Sequence, residues 1–200
     1  MSDWKPNLLI VEDDPSIRSS LDRVFTDIGY SVMTAEDGLS ALAVIREQVP
    51  DILLSDLNMP RMSGFELLSV VSRRFPDIPA IAMSGAFSGN TFPPGVSADA
   101  FYEKGSGMEA LLKAIEAARV HKGAPNPRPR PIWIQKSGQN ALNEEFVMMA
   151  CPECFRTFPQ AITGTASMIL DTSCIYCGGL ILYAVVEPIG ASKMAAALHN

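Results

Sequence analysis

Short apolar runs alternate with stretches of helical periodicity through the first 120 residues. Leu8-Leu-Ile-Val11 is uninterrupted and ends in Glu12, Asp13 and Asp14. Pro15 after Asp14 marks an N-cap with proline at the first helical position. Ile17, Leu21, Val24, Phe25 and Ile28 then recur at helical spacing, and Gly29 ends the helix. A second strand is predicted at 31–35, and Leu39, Leu42, Ile45 and Val49 mark a second helix. Asp51-Ile-Leu-Leu-Ser-Asp56 is a third strand, with Asp51 as its turn or start residue. A helix is predicted over 64–75, and strands over 79–83 and 100–103. Met108, Leu111, Leu112 and Ile115 mark a closing helix.

Strands that are apolar throughout belong to sheets covered on both faces. Their alternation with helices predicts an α/β fold with a parallel sheet between helical layers. Ligands bind such sheets at the carboxyl ends of the strands. Glu12, Asp13, Asp56, Ser84 and Lys104 all fall just past strand ends, so polar groups from four strands should converge on one edge. Three carboxylates placed together repel one another. A hard divalent cation such as Mg²⁺, an oxygen binder that also takes phosphate, removes that repulsion. With a lysine to balance the remaining charge, the set suits phosphoryl transfer to a carboxylate.

These residues carry a resemblance. Leu8-Leu-Ile-Val-Glu-Asp-Asp-Pro-Ser-Ile-Arg18 resembles the opening of a bacterial two-component response-regulator receiver domain, and Asp56-Leu-Asn-Met-Pro-Arg-Met-Ser-Gly64 resembles its phosphorylation loop. Ser84-Gly85 and Lys104 match later signature positions, and the likeness covers about residues 6–119. It implies a flavodoxin-like, five-stranded sheet in the order 2-1-3-4-5. It implies that Asp56 is phosphorylated and that Asp13, Asp56 and the backbone carbonyl of Asn58 bind Mg²⁺. Glu12 would hold a metal-bound water. Ser84 and Lys104 would contact the phosphoryl group, and Ser84 and Phe101 would act as switch residues. Asp14 is assigned to capping.

Two positions depart from the family pattern. Gly105 follows Lys104 where the family has proline. Residues 86–95, Ala-Phe-Ser-Gly-Asn-Thr-Phe-Pro-Pro-Gly, are too rich in glycine and proline for a full fourth helix. That helix is expected to be shortened or missing, with Phe87 and Phe92 filling its place in the core.

The chain changes character after the closing helix. Pro125, Pro127, Pro129 and Pro131 alternate with Arg128 and Arg130, which predicts an extended linker over 120–131. Residues 119–143 carry five basic and no acidic side chains, although the whole chain has a net charge of −6. Cys151-Pro-Glu-Cys154 and Cys174-Ile-Tyr-Cys177 have the spacing of a four-cysteine zinc site. Four thiolates make a closed tetrahedral centre. Iron in a rubredoxin-like site and redox thiols are the other options. The segment resembles a zinc ribbon over 132–190, mostly β, with strands at 146–149, 168–170 and 180–186 and a tail at 191–200. His121 and His199 are not needed as ligands.

Met1-Ser-Asp-Trp-Lys-Pro lacks a basic segment leading into an apolar one, and no apolar run is long enough for a membrane span. A cytoplasmic location is expected. The leading functional expectation is a response regulator in a phosphorelay, not an enzyme beyond Mg²⁺-dependent self-phosphorylation and autodephosphorylation at Asp56. Its partners would be a histidine kinase or phosphotransfer protein, and the four-cysteine domain would serve output through protein contacts. The alternatives are a DNA-binding transcriptional regulator, gripping phosphates through the basic strip, and an adaptor or phosphate sink. Overall acidity disfavours nucleic acid.

Overall fold

The computed structural model describes residues 5–85, 96–120, 131–136, 138–139, 145–162 and 169–186. The first half runs β1 (Asn7–Val11), α1 (Pro15–Asp27), β2 (Ser31–Ala35), α2 (Gly38–Glu47), β3 (Ile52–Asp56), α3 (Gly64–Arg74), β4 (Ala80–Ser84), β5 (Ala100–Glu103) and α4 (Met108–Val120). The five strands are all parallel, in the order β2-β1-β3-β4-β5. That is the flavodoxin-like order expected from the sequence. The segment 86–95, where the fourth helix was expected to be lost, lies outside the described residues, as do most of the linker and the tail.

The sheet sorts its side chains by the period of two. Leu8 and Ile10 of β1, with Ile52 and Leu54 of β3, pack with Phe25 of α1 and Leu111 and Ile115 of α4. Leu9 and Val11, with Leu53, pack the other way, among Leu42 and Ile45 of α2 and Leu67, Leu68 and Val71 of α3.

The second layer does not end at α3. A small lobe follows, with strands β6 (Ile132–Gln135), β7 (Gly138–Gln139), β8 (Glu145–Ala150), β9 (Thr157–Ala161), β10 (Ile169–Ser173) and β11 (Leu180–Val186). They form two three-stranded sheets, β10-β11-β6 and β7-β8-β9. Strands were expected at the positions of β8, β10 and β11; Met168 lies outside the described residues. β9 was not expected, because Pro159 interrupts it. Among the described residues it is an edge strand paired only with β8, where a missing N–H is tolerated.

This lobe packs directly on α3. Ile132, Ile134, Val147, Met149, Cys151 and Tyr183 belong to the same buried cluster as Leu67 and Val71. All eight residues from Gly64 to Val71 are buried. Only Glu66 and Ser69 in that stretch carry polar side chains, and each meets a backbone N–H of the lobe. Glu66 Oε1 accepts from Ala150 at 2.9 Å, and Ser69 Oγ accepts from Trp133 at 3.4 Å. The spacing i, i+3 places both on one face of the helix. At the end of α3, Arg73 and Arg74 approach Glu153 at 3.8 and 4.0 Å, and Phe75 stacks on Phe155 with ring centroids 6.1 Å apart.

Burial pushes the Glu66 carboxyl up to about 8, against the lowering effect of the Ala150 N–H. The folded chain therefore favours the protonated acid. Its contribution is fully present below the ordinary carboxylate range and is lost as pH rises towards 8. The loss across that window is up to about 5 kcal/mol. Glu66→Gln keeps an acceptor for Ala150 and removes the proton equilibrium. Denaturant unfolding between pH 5 and 8 should show wild type losing stability more steeply than Glu66→Gln; parallel profiles would contradict the assignment.

Candidate functional site

The carboxyl edge of the five-stranded sheet collects the charged groups. Glu12 and Asp13 follow β1, Asp56 ends β3, Ser84 ends β4 and Lys104 follows β5. Parallel neighbours end level with one another, as Asp56 with Met83 and Ser84 with Glu103. The shared register thus brings together side chains up to 92 positions apart in sequence. Carboxylate oxygens of Glu12, Asp13 and Asp56 lie within 4.8 Å of one another. Glu12 and Asp56 are buried and Asp13 is exposed, so the cluster opens to solvent on the Asp13 side.

Lys104 Nζ bridges the two buried acids. It lies 2.7 Å from Asp56 Oδ2, 2.9 Å from Glu12 Oε1 and 2.7 Å from Glu12 Oε2. Burial alone would lower the lysine pKa; the hydrogen bonds to Asp56 and Glu12 outweigh it and hold the ammonium above its ordinary value. Burial, then the nearby Asp56 charge, raise Glu12, while Lys104 opposes them. Lys104 was expected to meet a phosphoryl group; here it rests on the Asp56 carboxylate. Gly105 beside it takes φ +94°, a conformation open to glycine and rarely to other residues.

Asp14 caps α1, accepting from the N–H groups of Ser16 at 2.7 Å and Ile17 at 3.2 Å, and these two bonds lower its pKa. Arg18 Nη1 donates to the Glu12 carbonyl at 2.6 Å and orients the turn after β1. Asp51 accepts from Asn7 N at 2.7 Å at the strand start. Asn58 is exposed two residues after Asp56, with its N–H 3.4 Å from Asp56 Oδ1. Ser84 is fully buried, and its carbonyl accepts from Lys104 N at 2.9 Å. Phe101 is half-buried opposite Ala82 and packs against the α2/α3 side of the core.

The loop after Asp56 is pinned at both ends. Gly64 sits so close to Asp56 that an added Cβ would lie 1.9 Å from the Asp56 carbonyl oxygen. Only glycine fits there. Arg61 reaches back to Glu36 and to the buried Asp37, the N-cap of α2. Sequence reasoning missed Glu66, Asp37 and Arg61. Ser63-Gly-Phe-Glu66 has the pattern of a capping box, but Glu66 turns to the lobe instead, and no local signal marks that.

The cysteines form a second centre. All four are free thiols, and their Sγ atoms lie within 4.8 Å of one another. Cys151–Cys177 and Cys154–Cys174 are separated by 3.7 Å. A tetrahedral zinc site with bonds of about 2.3 Å has sulfur–sulfur edges of about 3.8 Å. The two Cys-x-x-Cys turns are built alike. Phe155 N donates to Cys151 O at 2.8 Å and Gly178 N to Cys174 O at 2.9 Å, both residues at positive φ. Glu153 N and Tyr176 N each lie 3.4 Å from the sulfur two residues before them. Burial pushes the Cys151 thiol up to about 12. Against burial, the N–H groups of Tyr176 and Cys177 instead hold Cys174 down to about 7. The four-sulfur donor set fits zinc.

Among the described residues, no helix is long and apolar enough to cross a membrane. The chain matches the family model for the response regulator receiver domain over residues 8–116. It is 34% identical over 130 residues to transcriptional regulatory protein GlrR of Escherichia coli, covering 62% of this chain and 28% of that protein. It is 44% identical over 75 residues to the DNA-binding transcriptional regulator NtrC of Klebsiella pneumoniae, covering 38% and 16%. The chain thus spans well under half the length of these relatives. Among solved structures it is similar to the chemotaxis response regulator CheY4 of Vibrio cholerae, with TM-score 0.51, 30% identity and coverage of 57% and 99%. It is also similar to the response regulator TrrA of Thermotoga maritima in complex with Mg²⁺ and BeF, with TM-score 0.53, 25% identity and coverage of 56% and 98%. A shared sheet order, a converged acidic edge and a family match across more than half its length place this chain in the response regulator receiver domain family.

Proposed function

We propose that this protein is a response regulator that accepts a phosphoryl group on Asp56 from a histidine kinase or phosphotransfer protein, and that the four-cysteine lobe carries its output through protein contacts. The observation that supports this reading best is the Lys104 bridge between two buried carboxylates at the carboxyl edge of the sheet. It marks a site built for more negative charge than one lysine balances.

A carboxylate oxygen of Asp56 attacks the phosphorus of a phosphohistidine. The P–N bond breaks, an acyl phosphate forms, and the donor imidazole keeps the electron pair. Asp13, Asp56 and the Asn58 carbonyl, with Glu12 beside them, would hold Mg²⁺, which would supply positive charge against the phosphoryl oxygens. Lys104 moves from the carboxylate to the added phosphoryl oxygens. Ser84, at the end of β4, hydrogen-bonds the same group, and Phe101 on β5 follows that shift as the switch aromatic. Cys151, Cys154, Cys174 and Cys177 would hold zinc in a structural role, since four thiolates leave no open position.

The DNA-binding reading draws on the basic strip, most of which lies outside the described residues, and on the names of relatives of which this chain covers only 28% and 16%. The described part of the lobe from Glu145 onward has Arg156 as its single basic side chain. That composition favours protein contacts over phosphate gripping.

Incubation with a small phosphodonor and Mg²⁺ should label wild type, while Asp56→Asn should take up less than about one tenth as much. Chelating Mg²⁺ should abolish labelling. Equal labelling of Asp56→Asn would contradict the assignment. Metal analysis should find one zinc per chain, and Cys151→Ser with Cys174→Ser should release it and lower the thermal midpoint by about 10 °C or more. Zinc content unchanged by that double substitution would remove the four-cysteine centre.

A further inference from the structure

We propose that α3 and the loop leading into it are the output surface of this receiver. The four-cysteine lobe is the partner that reads it, so phosphorylation at Asp56 and docking of the lobe are thermodynamically linked. The inference rests on Asp56 being the phosphoacceptor.

The route from acceptor to lobe is short and made of packed atoms. Gly64 lies against the Asp56 peptide, with no room for a Cβ, and its N–H donates to the Leu57 carbonyl at 3.1 Å. The first turn of α3 is therefore fixed to the backbone of the acceptor. Two residues on, Glu66 is buried and holds the N–H of Ala150, whose neighbour Cys151 begins the first cysteine turn. The loop itself faces the lobe. Met59, Met62, Ser63 and Glu66 line a cleft of about 530 Å³ whose other wall includes Phe146 and Met148 of β8.

The first cysteine turn is shaped for this dock. Gly178 holds the left-handed position in the second turn, as glycine ordinarily would. The equivalent position in the first turn is Phe155, at φ +56°, a strained choice for a bulky residue. Its ring stacks on Phe75 at the end of α3, the two planes nearly parallel at 6°. Glu153, inside the same turn, faces Arg73 and Arg74. One Cys-x-x-Cys turn thus holds the receiver, while the other, with exposed Ile175 and Tyr176, faces solvent.

A phosphoryl group on Asp56 adds bulk and charge beside the peptide that anchors α3, where Gly64 already leaves no room for a Cβ. Phosphorylation therefore loosens the dock. Linkage requires the converse, that a chain with a weakened dock takes the phosphoryl state more readily.

The test uses the full zinc-loaded chain with beryllofluoride and Mg²⁺ as the phosphoryl mimic. Phe155→Gly removes the stacking and copies the residue of the second turn, so the fold should tolerate it; Glu153→Arg is the second variant, on an exposed tip. Hydrogen exchange in 145–161 of wild type should speed up on adding the mimic. Both variants should bind the mimic at least about threefold more tightly than wild type, with zinc content unchanged. Equal or weaker binding by variants that keep zinc, with exchange in 145–161 unaltered in wild type, would overturn the linkage. A wild type that binds no mimic at all would instead defeat the phosphoacceptor reading beneath it.

Discussion

Two carboxylates buried within reach of each other need a cation, and the site depends on how this chain supplies one. Glu12 and Asp56 end neighbouring strands, and Lys104 comes from the far side of the sheet to stand between them. The arrangement works because the strands are parallel and in register, so that their carboxyl ends share one edge. The arrangement also suits the proposed binding of a divalent ion and a phosphoryl group. Three acids against one lysine leave negative charge unbalanced, and Asp13 is exposed where a metal would enter.

The same strand that ends in Asp56 leads directly into α3, and this helix has no solvent face over its first two turns. A helix apolar on nearly all sides must be covered on all sides. The sheet covers one face and the four-cysteine lobe the other. The described strands of the lobe are thus part of the same packed cluster as the receiver, and its first cysteine turn also packs on the end of α3.

The sheet order and the acidic edge were legible because each rests on local pattern. Apolar runs mark buried strands, acids at their ends mark the site, and Cys-x-x-Cys spacing marks a metal centre. The Asp14 cap could be read from Pro15 alone. The dock could not be read in that way. Glu66 sits where a capping-box glutamate would, and its true partner, the backbone of Ala150, lies 84 positions away. A signal was nonetheless present: residues 65–71 are too apolar for a helix with an open face, and their two polar residues are three apart. β9 was hidden by Pro159, which edge position excuses.

Glu12, Asp13 and Asp56 are proposed to form a divalent-cation site balanced by Lys104. Calorimetric titration with Mg²⁺ distinguishes such a site from an acidic edge that binds no ion. Asp13 is exposed, so Asp13→Asn should leave the fold intact. Wild type should bind Mg²⁺ saturably, with affinity lower by about tenfold or more in Asp13→Asn. Mg²⁺ binding of equal strength in the two proteins would contradict the claim.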